Sequence, residues 1–377
     1  MNREKIVQII KEQYIYFDNL SAELKNDFYK IQYIEDKNIF FKELQILLEK
    51  FQDPHTKLIR KMEYILPVTL GIIGNKLVVI EVFETNSIIK KGFILKKINH
   101  QSISDLLYKM KNIDSESLKL IRILESISMA YNPQNILLTF ETERGQTVEK
   151  NIKYIEAKSL KLDNCLKQTY FSLMEEHKKR IEQKYKILYY RCPSLLNDAE
   201  VNSFMQSLEQ QTKLKSIIFD LRNNMGGKIE LAIKITEFFI NEKVKIYLKD
   251  KRKIHEYVLK PRKSVIRGKN VGVLFNNLTC SSLEFIFLRL VSDNKNILRM
   301  GTPTCGMNDI ASVYELGDGM RMSLTTKKYV NFNGKEMHIK NIKPQVYIDI
   351  NHRDVTNNDD IQLEKAIYYL KKREKLF

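Results

Sequence analysis

The chain has 377 residues, of which 43% are hydrophobic and 29% charged, and it carries a net charge of +17 with a pI near 9.4. That length suffices for two or three packed domains, and no run approaches the roughly 20 apolar residues needed to cross a bilayer. The basic excess is spread as single lysines among Asn, Ile and Tyr, without a basic tail or an aromatic-basic motif. This argues against a dedicated nucleic-acid surface and leaves long-range steering of acidic peptides as its alternative meaning.

The opening residues, Met1-Asn2-Arg3-Glu4-Lys5-Ile6-Val7, lack the basic, apolar and small-residue pattern of a secretory signal; a cytoplasmic location is therefore expected. Cys165, Cys192, Cys280 and Cys305 are scattered, with no C-x-x-C pair. Reduced, packed thiols are expected, and neither a metal site nor an organic cofactor is called for.

In chain order, residues 1–62 read as a helical region. Apolar residues recur at Ile6, Ile9, Ile10 and Tyr14 in a helix over 4–17, and at Leu44, Leu47, Leu48 and Phe51 in a helix over 40–51. The second stops at Gln52-Asp53-Pro54-His55-Thr56, where proline blocks continuation. Residues 63–157 switch to short strands, clearest at 76–83 and 135–141, with a helical insert over 102–129. A Lys- and Glu-rich stretch within 158–184 predicts a connecting helix. From 185 to 377, strands and helices alternate as in an α/β domain. Tyr185–Tyr190 and the run from Lys215 into the Gly226-Gly227 pair predict strands, Val271–Phe275 a buried strand, and Asp198–Gln211 and Leu283–Leu290 helices.

Two strand-to-helix turns in this last region carry the chemistry. One is Asp220-Leu221-Arg222-Asn223-Asn224-Met225-Gly226-Gly227, and the other is Asn276-Asn277-Leu278-Thr279-Cys280-Ser281-Ser282-Leu283-Glu284. A hydroxyl at Ser281 lies beside free N–H groups at the positive end of a helix, where a nucleophile and an oxyanion site can coexist. The competing reading is that Ser281 and Glu284 form a capping box. Cys280 reads as packing.

Together with Gly301-Thr302-Pro303-Thr304-Cys305-Gly306, Leu324–Tyr329, Asn341–Pro344 and the run from Asp360, these turns resemble, in order over nearly the whole chain, the serine peptidase family of the carboxyl-terminal processing (tail-specific) proteases and the tricorn core. The resemblance implies an α/β fold with a crotonase- or Clp-like ββα core, an N-terminal helical region and an inserted PDZ-like domain whose signature is Asn86–Asn99. Pro67–Gly71 matches a carboxylate-binding loop poorly. The implied activity is a serine endopeptidase acting on peptides or protein tails, with Ser281 as nucleophile and His55, in an Asp-x-His-Thr turn, as general base. Gly226, Gly227 and Ser282 are the implied oxyanion donors.

Two positions depart from the family pattern. Met307 stands where the processing branch has its dyad lysine, which redirects the assignment to a tricorn-like Ser-His arrangement. His338 stands where tricorn-like members place the orienting glutamate; either Glu336, two residues away on the same strand face, substitutes for it, or His338 itself contacts substrate or takes part in catalysis. A catalytically attenuated peptide-binding scaffold is the alternative function. The expected partner is an extended peptide or unfolded tail, not a specific nucleic acid, and self-association into a homo-oligomer is left open.

Overall fold

The structure is a computed structural model and describes residues 2–59, 63–83, 87–111, 113, 115–130, 134–157, 181–182, 184–192, 195, 198–210, 214–262, 266, 268–292, 294–307, 309–337, 341–357 and 360–374. The connecting helix expected within 158–184 falls almost wholly outside these residues, as do Cys165 and His338.

The described residues form a mixed α/β fold with four sheets. The one that positions the site is parallel, in the order Ile187–Arg191, Ser216–Asp220, Asn270–Phe275, Ile297–Gly301 and Val346–Tyr347. Ser216–Asp220 is buried at all five positions, as expected of a strand covered on both faces. On one face Asp198–Gln210, Ile229–Thr236 and the π-helical turn Leu283–Leu288 pack into a core containing Phe204, Phe219, Phe239 and Phe287. On the other, Ile361–Glu374 buries Leu363, Ala366, Ile367 and Leu370 against Ile187, Ile218 and Leu274.

A buried ion network ties that last helix to the sheet. Arg222 Nε and Nη2 donate to Asp220, and its Nη1 and Nη2 donate to Asp360 at 2.6 and 2.8 Å. Both carboxylates thus compensate one desolvated guanidinium in bidentate geometry. Tyr189 Oη donates to Asp220 Oδ2 at 2.8 Å. Tyr189→Phe is expected to cost about 1–2 kcal/mol, read as a lower urea midpoint at unchanged slope.

Around this unit the N-terminal helices Arg3–Gln13, Ala22–Ile31 and Lys37–Lys50 pack on a second, antiparallel sheet. In it Met320–Val330 pairs with Lys57–Ile59, Val244–Lys249 and Ile310–Gly317. Segment 63–157 forms a six-stranded antiparallel sheet and one small sheet. Its insert is two helices, Ile103–Lys109 and Glu116–Ser128, capped by Ser102 and Ser115. The core under this sheet includes Cys280, Cys305 and Met307, so the segment packs directly on the loops around Ser281.

The expectation of reduced thiols fails for one pair: Cys280 and Cys305 form a disulfide, with Cα atoms 5.3 Å apart. Each follows the carboxyl end of one of two adjacent parallel strands, and Cys305 N donates to Thr279 O at 3.1 Å. Sequence separation concealed a proximity that strand pairing creates. Cys192 is a buried thiol.

Candidate active site

The two glycine- and serine-bearing turns are stitched together by asparagines. Asn223 N donates to Asn276 Oδ1 at 2.9 Å while Asn276 Nδ2 donates back to Asn223 Oδ1 at 2.7 Å. Cys280 N donates to Asn224 O at 2.9 Å, and Thr279 Oγ1 to Leu221 O at 2.8 Å. Asn224, fully buried, spends its Nδ2 on Cys192 O and its Oδ1 on Gly226 N. Asn223 itself is left-handed, at φ +60°, a conformation asparagine tolerates.

Ser281 is held in the left-handed region at φ +59°. A non-glycine residue pays of order 1–2 kcal/mol for this, so the surroundings must impose it. Its carbonyl accepts from Glu284 N and Phe285 N at 2.8 and 3.1 Å. Its hydroxyl makes no hydrogen bond among the described residues, and the helix beginning at Leu283 has no side-chain cap. The capping box therefore forms only in its acidic half. The Glu284 carboxylate takes the Ser281 N–H, and also Thr304 Oγ1, Gly306 N at 2.7 Å and Met307 N at 3.0 Å. Glu284 is fully buried, and desolvation pushes its carboxyl up to about 7 against the pull of those four donors.

Gly226 closes on the nucleophile. A Cβ placed there would lie 2.7 Å from Ser281 Cβ and 3.1 Å from its Oγ. Of the three expected oxyanion donors, Gly226 is already committed, donating to Asn224 Oδ1 at 2.7 Å. Gly227 N–H carries no hydrogen bond among the described residues, and Ser282 N–H sits in a first helical turn, where no intrahelical acceptor exists.

His55 lies in the turn before strand Lys57–Ile59. Asp53 Oδ1 accepts from His55 N at 3.0 Å and its Oδ2 from Thr56 Oγ1 at 2.6 Å, while Thr56 Oγ1 accepts from Thr325 N. This pins the turn to Met320–Val330. His55 Nε2 is buried and unpartnered. Burial, first, lowers its pKa below the ordinary 6.5, with the charges of Lys57 and Arg122 adding to the effect and those of Asp53 and Glu125 opposing it. The imidazole is thus held neutral, as a general base must be.

A cavity of about 170 Å³ opens beside His55. It is lined by His55, Pro54, Lys57 and Ser323, by Leu118, Ile121, Arg122 and Glu125 of one helix, and by Met225 and Met307. Met225 directly precedes the glycine against Ser281. No direct hydrogen bond joins Ser281 to His55, and such contacts are often long before substrate closes the site. Met307, in the dyad-lysine position, is an apolar wall here.

The Glu336 carboxylate pairs at 2.5 Å with Lys328, whose ammonium sits 4.1 Å from the Tyr16 ring centre. The charges that act most strongly on His55 are those of Asp53, Lys57, Arg122 and Glu125. The carboxylates near that ring are Asp53 and Glu125, which sequence reasoning missed. The detectable signal for Glu125 was the i, i+3, i+4, i+7 series Leu118, Ile121, Arg122, Glu125, an apolar helical stripe broken by two charges. Among the described residues, no group of three or more His, Cys, Asp or Glu is placed to hold a metal ion.

Residues 186–348 match the family model Peptidase family S41. The carboxy-terminal processing protease CtpA of Bacillus subtilis (strain 168) is 31% identical over 151 residues, 40% of this chain and 32% of that protein. The chloroplastic carboxyl-terminal-processing peptidase 2 of Arabidopsis thaliana is 32% identical over 117 residues, 31% of this chain and 22% of that protein. The chain thus spans about a third or less of these relatives. In fold, mature CPAF, solved in complex with lactacystin, superposes with a TM-score of 0.66 at 12% identity, covering 99% of this chain and 97% of the other. Tricorn protease gives 0.53 at 13% identity, covering 98% and 36%. These two likenesses bear on the fold alone. No described helix is long and apolar enough to cross a membrane.

Proposed function

We propose that the chain is a serine endopeptidase acting on peptides or protein tails, built on a crotonase-like core with a PDZ-like insert over 63–157. Ser281 attacks the scissile carbonyl, His55 takes the hydroxyl proton and returns it to the leaving amine, and Gly227 and Ser282 N–H groups hold the oxyanion; water then resolves the acyl-enzyme. The observation that carries this is Ser281 itself. It is a left-handed serine whose hydroxyl does no structural work, packed against a glycine with no room for a side chain. Substrate closure must bring His55 Nε2 to Ser281 Oγ. The Cys280–Cys305 bond bears on location, since action in a reducing compartment such as the cytoplasm requires that bond to be reduced or protected there.

The test is covalent labelling by an aryl fluorophosphonate, with the adduct mapped by mass spectrometry alongside cleavage of an unstructured peptide mixture. Expected are a single adduct on Ser281, absent in Ser281→Ala, and slow labelling in His55→Ala. Because the base must be neutral and burial lowers its pKa, kcat/KM should rise with pH along a limb centred below 6.5. Labelling elsewhere, or an acid limb above pH 7.5, would refute these roles. A second reading, a peptide-binding scaffold with attenuated hydrolysis, draws on Met307 in place of the lysine. It is favoured if peptides are retained uncut and Ser281 resists the phosphonate.

A further inference from the structure

The cavity beside His55 is lined by one cation, Arg122, that makes no ion pair among the described residues. Lys57 Nζ and Glu125 Oε1 pair at 2.5 Å and cancel. Arg122, one turn before Glu125, pairs with no carboxylate among the described residues. Its Nη2 donates to the Asp53 carbonyl, and its Nε and Nη1 have no acceptor among the described residues. The Asp53 carboxylate balances the Arg122 charge in number, but it is taken up by His55 N and Thr56 Oγ1 and makes no ion pair with Arg122 among the described residues, and the cavity is walled by Leu118, Ile121, Met225 and Met307. A guanidinium fork in such apolar surroundings matches a carboxylate in both shape and charge, and the low local polarity strengthens the pairing.

We propose that Arg122 determines specificity by anchoring a substrate carboxylate in this cavity, so that the peptides processed carry an Asp or Glu side chain, or their own terminal carboxylate, at a fixed distance from the scissile bond. The inference rests on the serine peptidase reading of the same site. It also gives the +17 net charge a use, since a basic protein concentrates acidic peptides around itself. Helix Glu116–Ser128, in the segment inserted ahead of the core, then contributes recognition directly to the cleft.

The experiment compares matched unstructured peptides with Asp or Glu against Asn or Gln at each position, each made with a free and with an amidated C-terminus. Binding to the Ser281→Ala protein is measured by fluorescence anisotropy and cleavage by the wild type. Expected is a preference of at least about tenfold for the acidic peptide at one position, or for the free C-terminus; whichever arm shows it identifies the source of the carboxylate. Arg122→Gln should reduce that ratio to near one, mainly through KM, and Arg122→Lys should restore part of it. The acid limb should move up in Arg122→Gln, since one of the two cations acting on His55 is gone while Asp53 and Glu125 remain. A merely structural Arg122, holding the Asp53 turn, would lower acidic and amide peptides alike, and that outcome would overturn the proposal. So would a wild type indifferent to charge and terminus. The anisotropy arm reads the anchor even if nothing is cleaved, which separates failure of this inference from failure of the peptidase reading.

Discussion

Gly226→Ala is expected to lower kcat/KM for peptide cleavage by a thousandfold or more while leaving the protein folded. The added methyl would stand 2.7 Å from Ser281 Cβ, 3.1 Å from its Oγ and 3.1 Å from Cys280 O. None of these can yield cheaply. Ser281 is fixed by the carboxylate of Glu284 on its N–H and by two helical N–H groups on its carbonyl, and Cys280 by its disulfide and by Asn224. The turn itself must therefore move, and Gly226 already sits at φ +88°, where an alanine is strained. A displacement near 1 Å at a reacting atom costs about a hundredfold, and shifting the neighbouring Gly227 N–H off the oxyanion adds a further factor of about 10 to 100. Steady-state kinetics with a thermal melt decides the matter. A variant that melts like the wild type and still turns over within tenfold of it would show that Gly226 is wanted only for the turn, and would remove the main support for Ser281 as nucleophile.

The strand-to-helix turns that carry Ser281, Gly226 and Gly227 were legible because the constraint on each is local. A buried strand must end, a helix must begin, and the residues permitted between them are few. The central strands were readable within a residue or two for the same reason: Val271–Phe275 is continuously apolar, and the observed strand is Asn270–Phe275. Helix Ala22–Ile31 was not singled out, since only Phe28 and Ile31 are buried and the apolar stripe is short. Relations between distant segments were the opaque part. Nothing in the spacing of Cys280 and Cys305 shows that their strands are neighbours. Nor does it show that Asp53 is enclosed by the Thr56 hydroxyl and its own turn while Glu336 is drawn off to Lys328. The π-helical winding of Leu283–Leu288 was also invisible, since the sequence reads as an ordinary apolar helix. Such windings cost stability and concentrate at functional sites. Here the turn follows directly on Ser281, so the strain sits where the chain must present a hydroxyl instead of capping with it.

The second large effect concerns Glu284, which holds Ser281 N–H and the loop carrying Cys305, Gly306 and Met307 with one carboxylate. Its pKa in the folded chain, about 7, lies above the ordinary 4.5. Between those values the folded state binds more protons than the unfolded one, so this group's contribution is fully present below about pH 4.5 and is lost as pH rises through 7. The difference corresponds to about 3 kcal/mol. Asp309, raised to about 6 mainly by burial, acts in the same direction, so a pH titration of the wild type alone would mix the two. Glu284→Gln isolates the first. Glutamine cannot titrate, and its Nε2 must face at least one of the backbone N–H groups that both carboxylate oxygens now accept. The stability gap between wild type and variant, from urea unfolding at pH 5, 6, 7 and 8, should therefore widen by about 2.5 kcal/mol as pH falls across this range, most of the full difference. Turnover of the variant should fall at every pH, because Ser281 loses the anchor on its N–H. A gap that is the same at pH 5 and pH 8 would mean that Glu284 stays ionised throughout, with its four donors outweighing burial. The carboxylate would then be a fixed clamp on the nucleophile's turn and would play no part in how the protein responds to pH.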